Sequence, residues 1–363
     1  QPQSVPAGRI EAPAGRQYLL PLSARSKPAL TALVDRYLQL LETVTPDISA
    51  LCYSAGERRG HLSHRVCVRG ADLAELASGL RQFREGEPGD LYVEGQVNQA
   101  RDRLVFVFTG MGPQWWGMGR ELLASEPVFR AAVERCDRVF RPIAGWSILE
   151  EMLKPEAESR IGETQIAQPA NFVLQMALVE LLASWGIEPA AIVGHSVGEV
   201  TSAYCSGILS LEQALLVSYH RSRVQKKAAH QGSMLAVGVE LAEALTLIAP
   251  FGGAVSIAAI NAPTAITLAG DTAALEAIAA QLEARGAFNR MLKVEVAYHS
   301  PTMDPLLDEL RECLADLETG APQLPVYSTV TGERITDTAF DDEYWCRNVR
   351  QPVYFFKALE QLL

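Results

Sequence analysis

The sequence predicts an α/β fold: a core with a mostly parallel sheet, an inserted ferredoxin-like subdomain, and a small α+β module ahead of both. Three observations lead there. Two apolar runs, Leu104–Phe108 and Ala190–Val193, each precede a turn and a helical segment and have the texture of strands covered on both faces. Residues 233–294 read in the order β-α-β-β-α-β, the split ferredoxin-like arrangement. Residues 18–102 carry a shorter β/α pattern of their own. The expected division is an extended linker over 1–17, the α+β module over 18–102, a core made of 103–232 and 295–363, and the inserted subdomain over 233–294.

Each element follows from its local pattern. Residues 1–17 are rich in Pro, Gly, Ala and Arg and predict extended chain. Tyr18–Leu22 reads as a strand, Ser26–Leu41 as a helix that stops before Pro46, Leu62–Val68 as a strand and Leu73–Phe83 as an amphipathic helix. In the core, a long helix is expected over Gln168–Trp185, then a strand at Ala190–Val193 and helices at Val197–Cys205 and Leu211–His230. The subdomain is expected to use strands at Met234–Val239, Val255–Ile260, Ile266–Ala269 and Arg290–Val294, with helices at Leu241–Ile248 and Thr272–Ala284. A helix from Thr302 to Leu317, a strand at Val326–Val330 and a helix near Asp341–Arg347 complete the core.

Composition narrows the class of function. The chain has 363 residues, 48% hydrophobic and 21% charged, with a formal net charge of −11. That is globular, and the acidic balance disfavours nucleic acid or an anionic membrane as the main partner. The six cysteines form no CxxC pair and no zinc-type spacing with histidine, so no metal is expected and reduced thiols in a cytoplasmic protein are. No apolar run reads as a membrane span, and the N-terminus lacks the pattern of a secretory signal; it reads as linker cut from a longer polypeptide.

The chemistry centres on Gly194-His-Ser-Val-Gly-Glu199. A G-x-S-x-G turn between a buried strand and a helix is a nucleophile elbow, in which the glycines tighten the turn and the serine hydroxyl faces out. The helix that follows aims its N-terminal N–H groups at the oxygen that becomes negative in acyl transfer. Ser196 is therefore the candidate nucleophile. Among six histidines, His299 sits at a strand-end loop, where catalytic groups gather in open α/β sheets; the alternative is a surface histidine at a helix start. His195 faces away from the elbow and reads as packing, as do Trp115, Trp116 and Met118. Arg221 is either a solvated helix residue or a guanidinium fork that clamps a carboxylate bidentately. Such a fork would favour a dicarboxylic acyl group by a factor of roughly 10 to 150. No Walker or GxGxxG pattern is present, and no acidic pair has an assignable acid–base role.

The run Phe106-Val-Phe-Thr-Gly-Met-Gly-Pro-Gln-Trp-Trp-Gly-Met-Gly119, the elbow, Arg221 and Ala297-Tyr-His-Ser-Pro301 together resemble acyltransferase domains of type I polyketide and animal fatty acid synthases. Residues 18–102, with Tyr18-Leu-Leu-Pro-Leu-Ser-Ala-Arg25 and Arg59-Gly-His-Leu-Ser-His-Arg65, resemble the linker domain between a ketosynthase and its acyltransferase. The resemblance implies a hydrolase-like core and a Ser–His dyad: Ser196 acylated, His299 its base, oriented by the backbone carbonyl of Asn348. It further implies an oxyanion hole from the N–H groups of Val197 and Met111, Arg221 gripping the free carboxylate, and Gln168 lining the pocket. Malonyl-selective relatives read His-Ala-Phe-His before the base and methylmalonyl-selective ones Tyr-Ala-Ser-His. Here the segment is Val296-Ala-Tyr-His299, with bulky Tyr298 leaving little room for an α-methyl group, and Val296 departing from both patterns. Members continue past the position of Leu363, so a following segment is expected.

The implied reaction moves a malonyl group from malonyl-coenzyme A through Ser196 to the phosphopantetheine thiol of an acyl carrier protein, with no bound cofactor, beside a ketosynthase domain of the same polypeptide. Three readings compete: a methylmalonyl- or acetyl-selective transferase, a serine hydrolase or editing esterase, and a non-catalytic scaffold. An α/β-hydrolase needs an acid between serine and histidine in chain order, and no persuasive one is found.

Overall fold

The computed structural model describes residues 16–97, 103–336 and 340–363. Most of the expected linker over 1–17 lies outside the described residues. The rest forms two compact units, one up to Val97 and one from Arg103 onward.

The first unit is an antiparallel sheet with three helices. Strand β1 (Tyr18–Ala24) pairs with β2 (His64–Gly70), which pairs with β3 (Tyr92–Gln96). Alternation puts Leu20, Leu22, Val66 and Val68 on the buried face. Helices α1 (Lys27–Thr43), α2 (Ile48–Glu57) and α3 (Leu73–Glu85) are N-capped by Ser26, Asp47 and Asp72. The core of this unit includes Leu30, Val34, Leu76, Leu80 and Phe83. The sequence reading missed α2 and β3. Pro46 reads as a stop but is followed at once by the Asp47 cap, and β3 is almost wholly exposed, so it carries no apolar alternation.

In the second unit, β4 (Val105–Phe108) opens the core. Helices α4 (Arg120–Ser125), α5 (Pro127–Ala144) and α6 (Ile148–Leu153) precede the long α7 (Thr164–Ser184). Next come β5 (Ala191–Gly194), α8 (Gly198–Cys205) and α9 (Leu211–Gln225). The subdomain contributes β6 (Ser233–Val237), α10 (Leu241–Ile248), β7 (Val255–Ala262), β8 (Ala265–Gly270), α11 (Thr272–Ala284) and β9 (Asn289–Met291). The chain returns through α12 (Leu307–Cys313), β10 (Val326–Ser328), β11 (Glu333–Ile335), α13 (Asp342–Arg350) and α14 (Phe355–Leu362).

The core sheet has the order β11-β10-β5-β4, parallel throughout except for β11. The subdomain sheet is antiparallel in the order β7-β8-β6-β9, which is the ferredoxin-like order. It is tied to the core where Val353 N–H donates to Ala258 O and Ile260 N–H donates to Val353 O, both at 2.9 Å.

Several expectations are corrected. Strand β4 lies at the sheet edge, with Val107 48% exposed, so its apolar run is not covered on both faces. Helix α7 begins at Thr164 and not at Gln168. Pro169 reads as a first-turn proline but lies inside the helix, where it leaves the Gln165 carbonyl without its helical donor; the Ser222 hydroxyl lies 3.3 Å from that carbonyl and 2.9 Å from Tyr219 O, its single hydrogen shared between them. The expected helix 302–317 is a 3₁₀ segment, Pro301–Leu306, followed by the short α12, because Pro301 and Pro305 cannot donate. Helix α9 ends at Gln225, and His230 beyond it stands at φ +63°. By length and composition α7 is apolar enough to cross a membrane, contrary to the sequence reading. It is a core helix, with 61% of its most apolar window buried inside the protein. Met118 and Trp116 pack as expected, whereas Trp115 is 61% exposed.

Leu268 is fully buried in the middle of the subdomain sheet, and Leu245 on α10 is half-exposed. Leu268→Ala is expected to destabilise the protein by about 2–5 kcal/mol and Leu245→Ala by under about 1 kcal/mol, read as the shift in guanidinium unfolding midpoint.

Candidate active site

Ser196 occupies the sharp turn between β5 and α8 at φ +53°, and His299 follows the subdomain at φ +58°. Only three described residues other than glycine have positive φ, and these are two of them. Such conformations cost on the order of 1–3 kcal/mol each and persist where the surroundings over-determine them. Here the determinants are close backbone approaches. A Cβ on Gly198 would lie 2.2 Å from Phe108 O, and one on Gly194 would lie 2.3 Å from the Gly198 carbonyl carbon. The two elbow glycines therefore let β4, β5 and α8 meet behind the serine.

The sequence-separated candidates converge. Ser196 Oγ donates to His299 Nε2 at 2.7 Å, across 103 residues of chain. His299 Nδ1 donates to the carbonyl of Gln351 at 2.9 Å, which assigns the tautomer with Nε2 free to accept. The orienting carbonyl is thus that of Gln351, one helical turn past the expected Asn348. Burial, together with the Arg221 charge, pushes the His299 imidazole down to about 3, so it is neutral near pH 7. The ring is 4% exposed.

Arg221 is 1% exposed, so the solvated-helix alternative is excluded. Its Nε donates to Asn348 Oδ1 at 3.0 Å, and its Nη1 to Gln168 Oε1 at 2.6 Å and Gln225 Oε1 at 3.1 Å. Its Nη2 donates to Ser196 Oγ at 3.1 Å. Every acceptor is a neutral oxygen. Burial lowers its pKa to about 10, which leaves it a cation at neutral pH. Gln168 thus grips Arg221 from the proline-bearing turn of α7, and Asn348 from α13.

Glu199 is fully buried and was not assigned a role from sequence. Its carboxyl accepts from Thr329 N and Oγ1, Tyr344 OH at 2.9 Å and Asn348 Nδ2 at 2.6 Å. Burial raises its pKa, partly offset by these donors. Its position in the elbow motif was visible, but its partners lie 130 to 149 residues away. Tyr344 Oη and Asn348 Nδ2 therefore meet on one carboxyl oxygen, and Asn348 Nδ2 also donates to Ser196 O.

A cavity of about 190 Å³ opens onto these groups. Met111, His195, Ser196 and Arg221 line it from the core, and Met234, Ala259, Asn261 and Thr267 from the subdomain. Tyr298 lines it too, its hydroxyl 2.7 Å from Thr164 Oγ1 and its pKa pushed up to about 12 by burial. Three expectations change here. Gln168 is fully buried behind Arg221 and does not line the cavity. Val296 is fully buried in the core, while Val294 takes the lining position. His195 does not merely pack: it lines the cavity and its Nε2 donates to Asn261 Oδ1 at 2.8 Å. Val197 caps α8 with no side chain capping that end, and Met111 stands on the facing loop. The site thus offers a serine oxygen beside a neutral imidazole, a helix N-terminus and a buried cation whose hydrogen-bond acceptors are all neutral.

Gly198→Ala is expected to lower serine reactivity about 100-fold, since displacements near 1 Å at a reacting atom carry that cost. The measurement is Ser196 labelling by a fluorophosphonate in protein shown to be folded by circular dichroism.

Comparison with known proteins agrees with this geometry. The acyl transferase domain profile matches residues 105–363, and a profile for the C-terminal region of CurL-like polyketide synthases matches residues 18–80. The hybrid PKS-NRPS synthetase pynA of Aspergillus niger is 36% identical over 99% of this chain, and erythronolide synthase EryA2 of Saccharopolyspora erythraea 33% identical over 96%. The chain spans about 10% of the length of each. Among solved structures, the acyltransferase domain from module 8 of the salinomycin polyketide synthase superposes with a TM-score of 0.91 at 30% identity, covering 95% of this chain and 82% of that one. An acyl carrier protein S-malonyltransferase from Vibrio cholerae gives 0.65 at 28%, covering 72% and 86%. The chain belongs to the acyl transferase domains of modular polyketide synthases, preceded by the CurL-like region of those synthases.

Proposed function

We propose that this domain transfers a malonyl group from malonyl-coenzyme A through Ser196 to the phosphopantetheine thiol of an acyl carrier protein. The observation that carries the reading is the buried Arg221 cation with no carboxylate partner among the described residues, touching the serine oxygen. Buried charges are ordinarily paired, so a guanidinium held only by neutral oxygens beside a nucleophile is built for an anion that arrives with the substrate. The free carboxylate of malonyl is such an anion. Tyr298, fixed through Thr164, narrows the cavity against an α-methyl group. One methyl discriminates by only about 1–3 kcal/mol, so methylmalonyl is the nearest competitor.

In the acylation step His299 Nε2 takes the Ser196 proton as Oγ attacks the thioester carbon. The developing oxyanion lies at the N–H groups of Met111 and Val197. As the C–S bond breaks, His299 returns the proton to the coenzyme A sulfur. In the second half the carrier thiol gives its proton to His299, its sulfur attacks the malonyl-serine ester, and Ser196 leaves with the proton. A backbone carbonyl in place of a carboxylate on His299 Nδ1 supports this reading over an α/β-hydrolase triad. The match of residues 18–80 supports a ketosynthase in the same polypeptide as a partner. Six free cysteines suit a reducing cytoplasm.

Ser196→Ala is expected to abolish the acyl adduct seen by intact-protein mass spectrometry. Arg221→Ala is expected to lower malonyl acylation roughly 10- to 150-fold more than acetyl acylation; equal losses would remove the clamp. Free malonate formed rapidly without carrier would favour the hydrolase. Because the pKa of His299 is depressed, the base is neutral above about pH 3 and lost only as pH falls through that value. The kcat/KM for acylation, measured with acetyl-coenzyme A so that the acyl group does not titrate, is therefore expected to stay level from about pH 7.5 to about pH 5. A fall near pH 6.5 would contradict it.

A further inference from the structure

Three side-chain amides surround Arg221, and their neutrality is a choice the fold did not have to make. Gln225 lies one turn along α9, Gln168 reaches across from α7 and Asn348 from α13. Each places an amide oxygen where a carboxylate oxygen of Asp or Glu would sit. Their remaining polar atoms fix the amides this way round. Gln168 Nε2 donates to Gln225 Oε1 at 2.8 Å, Gln225 Nε2 reaches Met303 Sδ at 3.9 Å, and Asn348 Nδ2 donates to Glu199. Asn348 therefore stands between Glu199 and the guanidinium, its oxygen on the cation and its nitrogen on the carboxyl.

We propose that Gln168, Gln225 and Asn348 set acyl-group selectivity by holding Arg221 without neutralising it, with Asn348 spacing Glu199 away, so that the cation is left for the carboxylate of the acyl group. The proposal rests on the reading of Arg221 as the carboxylate clamp. A carboxylate at any of the three positions pairs with Arg221 permanently, and a dicarboxylic acyl group then meets a site whose charge is already cancelled. A neutral acyl group, which has no use for the cation, is affected far less. Gln225 is the gentlest position for the change, because Glu keeps the oxygen that accepts from Arg221 and Gln168 and loses only the contact to sulfur.

The test compares wild type, Gln225→Glu, Asn348→Asp and Arg221→Ala, each as the full chain with its fold checked by thermal melting. The rate of Ser196 acylation is read by intact mass with malonyl-coenzyme A and, separately, acetyl-coenzyme A. The expected result is a malonyl-to-acetyl rate ratio lower by about tenfold or more in both acidic variants, on the scale of one charged hydrogen bond, with acetyl acylation retained in Gln225→Glu; Asn348→Asp also loses its donor to Glu199 and to Ser196 O, so its acetyl rate falls too, but less than its malonyl rate. If wild type prefers malonyl and Arg221→Ala removes that preference while both acidic variants keep it, the inference is wrong and the clamp stands. If Arg221→Ala leaves the preference intact, the clamp itself is wrong and the inference falls with it. Parallel loss of both acyl groups in the two folded acidic variants would assign the amides to holding the site together and would also overturn the selectivity role.

Discussion

The site depends on keeping one positive charge in the protein interior with no carboxylate in direct contact with it among the described residues. A guanidinium is the side chain best suited to that, since its charge is spread over a plane of five donors and it stays protonated even when burial lowers its pKa. In this chain Asn348, Gln168, Gln225 and Ser196 accept from Nε, Nη1 and Nη2, so hydrogen bonding offsets part of the desolvation that burial imposes. What the neutral acceptors do not supply is charge. The Glu199 carboxyl is in the same network but one amide removed, engaged by Thr329, Tyr344 and Asn348. Helices α7, α9 and α13 are therefore organised around a cation and its polar cage as much as around an apolar core.

The same charge acts on the Ser196–His299 pair. Arg221 lies close enough to His299 to disfavour the imidazolium, and burial pushes in the same direction. The His299 ring is then neutral, with its Nδ1–H held by the Gln351 carbonyl and its Nε2 turned to the serine. On the proposed reading, a carboxylate bound at Arg221 would remove that electrostatic penalty, so a ligand that fits the clamp would also favour an imidazolium at His299. The left-handed backbone at both Ser196 and His299 is tolerated because each is pinned on either side, the serine by the elbow glycines and the histidine by its two ring contacts.

The parts legible in the sequence were those encoded locally. The elbow is a five-residue pattern between a strand and a helix, and the subdomain helices α10 and α11 have the bounds the periodicity predicts, because apolar spacing, and for α11 the Asp271 cap, act within one or two turns. The parts that were not legible are contacts between distant segments. Helix α9 mixes Ser, His, Arg and Gln along the turn that holds Arg221, so nothing local says that this arginine faces inward. Its partners Gln168 and Asn348 are 53 and 127 residues away. The choice between Asn348 and Gln351 as the source of the orienting carbonyl is a matter of which turn at the end of α13 faces the ring. Strand β4 shows the same limit in the sheet, where an apolar run does not distinguish an edge strand from a central one.

The inserted subdomain is more than a lid on the cavity. Its strand β7 bonds to the core through Val353, which exchanges hydrogen bonds with Ala258 and Ile260. Ala259, between those two, lines the cavity, and Asn261 beyond them accepts from His195 Nε2. Gln351, whose carbonyl orients His299, stands two residues before Val353, with Pro352 between them fixing the backbone. The subdomain wall of the cavity and the carbonyl that holds the His299 ring are thus joined through one backbone pairing, that of β7 with Val353. A shift of β7 relative to the core sheet is passed to Val353 through two backbone hydrogen bonds and from Val353 to Gln351 along the chain, so the position of the subdomain wall and the alignment of the imidazole with Ser196 are mechanically coupled.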